Sequence, residues 1–124
     1  MARILVVEDE PRSFKLLEFR LKSLGHEVLG AVDGGKALEA ASKENPNLIL
    51  LDIMMPVIDG LQVLRKLKSQ DETKIIPVIM VTARSQEKDI VDGLEAGAVD
   101  FITKPFSFAE LIARVNRALA SRSQ

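Results

Sequence analysis

The chain has 124 residues, with 17 lysines and arginines set against 18 aspartates and glutamates for a net charge of -1. That length implies one domain with a core of its own, and the charge balance gives no general pull toward nucleic acid. The chain contains no cysteine, tryptophan or tyrosine and only five phenylalanines, which excludes disulfides, thiolate chemistry and most aromatic platforms for bases or flavins.

The chain opens on Arg3-Ile4-Leu5-Val6-Val7, an apolar strand ending in acid at Glu8-Asp9-Glu10. Pro11 suits the first turn of a helix, where its missing N–H is no loss. Phe14, Leu17, Leu21 and Leu24 give that helix an inward stripe, and Gly25 suits a left-handed C′ position. Glu10 reads as a surface residue complementing the helix dipole. His26 to Ala31 is a more polar strand, expected at a sheet edge with His26 exposed. Asp33 is a candidate N-cap for a helix from Lys36 to Glu44, with Ala37, Leu38 and Ala41 inward and Asn45-Pro46 stopping it.

Leu48-Ile49-Leu50-Leu51-Asp52 is the strongest strand signal, four aliphatic residues in a row and then a carboxylate. A short, wholly apolar run reads as a strand buried on both faces, as in a parallel sheet. A loop through Met54-Met55-Pro56 and Asp59-Gly60 leads to a helix carried by Leu61, Leu64 and Leu67. Pro77 to Thr82 is a fourth buried strand ending in a hydroxyl. Ser85 is the expected cap of a fourth helix with Val91 and Leu94 inward, ended by Gly97. Val99 to Thr103 is a fifth strand, followed by Lys104-Pro105. Ser107 and Glu110 make a capping-box pattern for a last helix striped by Phe108, Leu111, Ile112, Val115 and Leu119. The tail 121–124 is expected to fray. Met54 and Met55 read as loop packing, and Arg114, Arg117 and Arg122 as a solvated helix face.

Strand and helix thus alternate five times, which predicts an α/β three-layer sandwich on a parallel sheet. No second domain is expected. No apolar run is long enough to span a membrane, and no signal-peptide layout is seen, so the expected compartment is the cytoplasm.

In a parallel sheet the carboxyl ends of the strands share one side, where ligands bind. That brings together Glu8 and Asp9, Asp52, Thr82 and Lys104. Three carboxylates repel unless a cation intervenes, and a hard divalent ion with oxygen ligands fits, Mg²⁺ best. Lys104 supplies an ammonium suited to a phosphoryl oxygen, and Thr82 a hydroxyl donor. Carboxylate, metal, lysine and hydroxyl together describe phosphoryl transfer with an acyl phosphate on Asp52.

These residues, with Asp52-Ile53-Met54-Met55-Pro56, Asp59-Gly60, Thr82-Ala83 and Lys104-Pro105-Phe106, resemble a response-regulator receiver domain of two-component signalling over essentially the whole chain. The resemblance implies a flavodoxin-like fold with strand order 2-1-3-4-5 and a cis Lys104–Pro105 bond. It implies Asp52 as phospho-acceptor, with Mg²⁺ (Mn²⁺ as an alternative) held by Asp9, Asp52 and the Met54 backbone carbonyl, Glu8 acting through water. Thr82 and Lys104 then contact the phosphoryl group. The donor is a sensor histidine kinase or phosphotransfer protein. By the same resemblance the domain is expected to catalyse its own phosphorylation and slow self-hydrolysis, rather than to act as a conventional enzyme.

Phe101 occupies the family's switch position. Lacking the tyrosine hydroxyl often found there, it is expected inward even without phosphate. Met54 and Arg84 occupy positions that tune hydrolysis in the family; neither activates water, so a long-lived phosphoryl group is expected. Output is expected on the face of the fourth helix, fifth strand and last helix. The last helix resembles those of winged-helix regulators that pair through charges on this face. Here Ile90, Asp92 and Val99 replace charged positions, while Lys88, Asp100, Glu110 and Arg114 remain available. A monomer or a phosphorylation-dependent dimer, with another partner docking at Ile90, is expected, without direct nucleic-acid or membrane contact.

Three rival readings are weaker. An FMN carrier needs a hydroxyl- and glycine-rich first loop, which is acidic here. An aspartyl phosphatase of the dehalogenase type needs a second aspartate where Met54 stands. A degenerate interaction module is disfavoured because each site position is filled.

Overall fold

Aliphatic runs build the sheet. The computed structural model describes residues 1–55, 58–83 and 86–122, without the side chains of 121 and 122. The strands are β1 (Arg3–Val7), β2 (Glu27–Ala31), β3 (Leu48–Leu51), β4 (Val78–Thr82) and β5 (Asp100–Thr103), and the helices α1 (Pro11–Ser23), α2 (Gly34–Glu44), α3 (Gly60–Ser69), α4 (Glu87–Glu95) and α5 (Phe108–Arg122). All strand pairs are parallel, in the order β2-β1-β3-β4-β5, the flavodoxin-like arrangement. The Lys104–Pro105 bond is cis.

Every residue of β3 is buried, because both faces of the sheet are covered. Leu5, Val7, Ile49, Leu51, Val78 and Met80 pack toward Ala37 and Ala41 of α2 and Val63, Leu64 and Leu67 of α3. Ile4, Val6, Leu48, Leu50, Ile79 and Val81 pack on the other face, toward Leu17 and Leu21 of α1 and Leu111, Val115 and Ala118 of α5. Burying such a side chain contributes about 1.5–3 kcal/mol, so this alternation of faces fixes the strand register.

The helix ends follow local chemistry. Pro11 opens α1, and the Asp33 and Asp59 carboxylates accept from Lys36 N and Gln62 N to cap α2 and α3. Ser107 Oγ accepts from Glu110 N, 3.0 Å away, at the start of α5. Gly25 and Gly97 take positive φ of 90° and 113° just past α1 and α4. Glu10, expected on the surface as a complement to the helix dipole, is exposed at the start of α1 and also caps it, accepting from Arg12 N and Ser13 N.

Three other expectations are corrected. His26 precedes β2 rather than lying in it and is half-buried, its Nδ1 accepting from Ala2 N at 3.1 Å; burial lowers its pKa. Leu24 ends the α1 stripe in solvent, because the chain has already turned at the C-cap. Val91 and Leu94 are also exposed, while Asp89 and Gly93 face inward. The spacing of Val91 and Leu94 predicts inner positions for both, but α4 rolls so that its smallest residue, Gly93, lies against the sheet. α4 begins after Gln86, which makes no side-chain cap bond; Ser85, the expected cap, lies outside the described residues, as do Pro56 and Arg84. Among the described residues, no helix is long and apolar enough to cross a membrane.

Candidate functional site

β1 and β3 are neighbours, yet the chain leaves them for opposite faces: α1 packs on one side of the sheet and α3 on the other. A crevice opens where two adjacent strands part company in this way, at their carboxyl ends. Asp52 lies one residue past β3, and Glu8 and Asp9 directly past β1. The backbone pins both ends: Asp52 N donates to Val7 O at 3.2 Å, and Glu8 N to Ala31 O at 3.1 Å.

The carboxylates meet. Glu8, Asp9 and Asp52 each offer an oxygen within 4.8 Å of the others; Glu8 and Asp52 are buried and Asp9 is exposed. Lys104, from the turn after β5, donates to Glu8 Oε1 at 2.5 Å and to Asp52 Oδ2 at 3.3 Å. Its backbone is fixed by a 2.8 Å bond from Lys104 N to Thr82 O. Asp52 Oδ1 accepts from Met54 N at 3.0 Å. The Asp52 carboxylate is therefore held at both oxygens, with Asp9 on the solvent side.

Burial pushes the Glu8 carboxyl above its ordinary value, more than the hydrogen bonds from Lys104 and Glu10 N pull it down. Burial alone would lower Lys104, but the hydrogen bond to Glu8 and the charges of Asp52 and Glu8 outweigh it and hold the ammonium protonated. Three carboxylates facing one lysine leave an excess of negative charge. A hard divalent cation fits this donor set: the oxygens are close, all from carboxylates, and reached from solvent past exposed Asp9.

The turn after Asp52 depends on Gly60. A Cβ built there would lie 2.2 Å from Asp52 O and 2.7 Å from Ile53 Cα, so the first residue of α3 presses directly on the Asp52 backbone. Gly60 N also donates to Ile53 O at 2.9 Å. The Asp59-Gly60 pair marks this turn in sequence, but the close approach is visible only in three dimensions.

Thr82 ends β4 with no exposed surface, and Phe101 is half-buried on β5, opposite Met80 and on the core face that carries α3. Met54 is 56% exposed at the crevice, so loop packing does not describe it. Arg84 lies outside the described residues. Asp100, Glu110 and Arg114, expected to be available on this face, are paired with one another within the chain. Asp100 is buried and accepts from Arg114 Nη1 at 2.7 Å and Arg117 Nη2 at 2.6 Å, while Arg114 Nε bonds Glu110 at 3.1 Å. These groups tie α5 to β5, because a carboxylate buried at the strand start needs cationic partners, and Arg114 and Arg117 are the nearest turn of α5.

Comparison with known proteins agrees with this geometry. Residues 4–116 match a family model described as the response regulator receiver domain. The chain is 45% identical over 122 residues to the alkaline phosphatase synthesis transcriptional regulatory protein PhoP of Bacillus subtilis (strain 168), covering 98% of this chain and 50% of that protein. It is 48% identical over 114 residues to the response regulator PleD of Caulobacter vibrioides, covering 92% of this chain and 25% of that one. The chain thus spans half or less of the length of these curated relatives. Among solved structures, the receiver domain of a sensor histidine kinase from Pseudomonas aeruginosa PAO1, with a magnesium ion coordinated in its active site cleft, superposes with a TM-score of 0.89 at 34% identity, over 96% of this chain and 98% of that one.

Proposed function

The chain belongs to the response regulator receiver domain family, and from that premise we propose that Asp52 accepts a phosphoryl group from the phosphohistidine of a histidine kinase or phosphotransfer protein. The observation that carries this reading is the joint grip on Asp52. Lys104 and Met54 N hold its two oxygens, and Asp9 and Glu8 stand within 4.8 Å. An oxygen of Asp52 attacks phosphorus as the bond to the donor imidazole breaks; the imidazole, protonated at its other nitrogen, leaves neutral. The product is an acyl phosphate on Asp52.

Asp9, Asp52 and the Met54 carbonyl would hold Mg²⁺, with Glu8 acting through water. When bound, the ion neutralises charge on the phosphoryl oxygens. Lys104 already lies within reach of the Asp52 carboxylate, and its ammonium follows the transferred oxygens. Glu8 keeps Lys104 charged and oriented. Thr82, buried at the end of the neighbouring strand, donates its hydroxyl to the phosphoryl group. Phe101, on the next strand, responds to the space Thr82 vacates, and the population shift is read on α4, β5 and α5.

Intact-mass measurement after incubation with acetyl phosphate tests the chemistry. Wild-type protein gains one phosphoryl group in Mg²⁺ and none in EDTA, and Asp52→Asn gains none. An equal gain in the variant would remove Asp52 from the role.

A further inference from the structure

We propose that Gly93 is the positioning residue through which the state of the Phe101 ring reaches α4. The proposal rests on Asp52 as phospho-acceptor and Phe101 as the switch aromatic.

The fully buried residues of α4 are Asp89 and Gly93, with Ile90 and Ala96 partly buried, while Val91 and Leu94 point to solvent. Under Gly93 lie the Phe101 ring and Met80. A Cβ at Gly93 would sit 3.5 Å and 3.6 Å from two ring carbons of Phe101 and 3.6 Å from Met80 Cγ. The backbone of α4 therefore rests beside the ring with no side chain of its own between them. Met80 is paired with Phe101 in the sheet and stands two residues before Thr82, on the same face of β4. Thr82, Met80 with Phe101, and Gly93 form a contiguous path from the site to the helix.

α4 is built to follow what lies beneath it. It has nine residues, no side-chain N-cap bond and no basic residue in its last turn, and it ends on Glu95, against the helix dipole. A glycine in its interior weakens it further. Such a helix is positioned mainly by packing, and at Gly93 that packing is the ring itself. A side chain at 93 would interpose a layer, either fixing α4 or lifting it, and its position would no longer report where Phe101 lies.

Hydrogen exchange of the whole chain tests this, with and without Mg²⁺ and beryllofluoride, a phosphoryl mimic on carboxylates. The proteins compared are wild type, Gly93→Ala and Gly93→Leu. In wild type, beryllofluoride changes exchange both at residues 52–54 and in α4. Gly93→Ala makes only ordinary van der Waals contact, so the protein folds, and α4 amides exchange about fivefold more slowly without ligand, the alanine–glycine propensity gap. The fold-change in α4 caused by beryllofluoride shrinks, while residues 52–54 respond as in wild type. Gly93→Leu speeds α4 exchange without ligand and removes its response; should it fail to fold, Gly93→Ala decides alone. A wild-type-sized α4 response in Gly93→Ala, whatever its unliganded rate, marks Gly93 as merely structural and overturns the proposal. So does a wild-type α4 that ignores beryllofluoride while residues 52–54 respond. Silence at both segments in wild type overturns the phospho-acceptor reading and the proposal together.

Discussion

Gly60→Ala sets two effects of opposite sign against each other. Replacing glycine by alanine inside a helix stabilises it by up to about 1 kcal/mol. At Gly60, however, the new Cβ would stand 2.2 Å from Asp52 O and 2.9 Å from Asp52 C. That is more than an ångström inside ordinary contact, and the opposing atoms are backbone. They cannot yield easily, because Gly60 N is bonded to Ile53 O at 2.9 Å and Asp52 N to Val7 O at 3.2 Å. Overpacking of this kind costs about 1–3 kcal/mol or more, so the clash wins and the variant loses about 1–2 kcal/mol net. The melting temperature falls by about 4 °C per kcal/mol for a domain of this size. The displaced backbone carries Asp52, and a misplacement near 1 Å slows a positioned reaction about a hundredfold. Gly35→Ala is the matched control: its Cβ meets only Asp33 Oδ1 at 3.5 Å, so propensity acts alone and stability rises by a few tenths to about 1 kcal/mol. Urea melts and the initial rate of labelling by acetyl phosphate read both effects. A Gly60→Ala protein as stable as wild type, labelling at the wild-type rate, refutes the account of the turn.

Asp9→Asn removes an exposed carboxylate within 4.8 Å of two others, and with it one of the proposed Mg²⁺ ligands. Mg²⁺ then raises the melting temperature of wild type but barely that of the variant; equal gains in both would count against Asp9 as a ligand. Asp100 has its pKa lowered, because the hydrogen bond from Arg114, that from Phe101 N and the charges of Arg114 and Arg117 overcome a burial effect in the opposite direction. A depressed carboxylate contributes stability that is present above its unfolded value near 3.8 and is lost as pH falls through the folded value. Asp100→Asn therefore destabilises by about 2 kcal/mol at pH 7, and the gap to wild type closes in acid below that range; a gap independent of pH in urea melts would contradict this. Met54→Asn places a polar group where a thioether now lies exposed, and shortens the phosphoryl lifetime by up to about a hundredfold, followed by loss of the mass shift; an unchanged lifetime would exclude position 54 from hydrolysis.

The site was legible in the sequence because its members stand at strand ends. Val7, Leu51, Thr82 and Thr103 close their strands as the apolar patterns suggest, so Glu8, Asp52 and Lys104 are carried to one edge by topology alone. What was not legible depends on how helices roll. Val91 and Leu94 look like a core stripe, but the Phe101 ring fills the space beneath α4 and admits Gly93 instead. Asp100 reads as a surface charge until α5 brings Arg114 and Arg117 over it. Glu10 does not stand out as a cap in sequence, because serine, threonine, aspartate and asparagine are the usual residues there; its longer side chain nevertheless reaches Arg12 N and Ser13 N.

On the proposed reading the signal is a covalent bond on Asp52. Borohydride reduces an acyl phosphate of aspartate to homoserine, which peptide mass spectrometry can place. After acetyl phosphate and Mg²⁺, homoserine is expected at position 52 alone. Homoserine at position 9, or none in a protein that has gained a phosphoryl group, would contradict it.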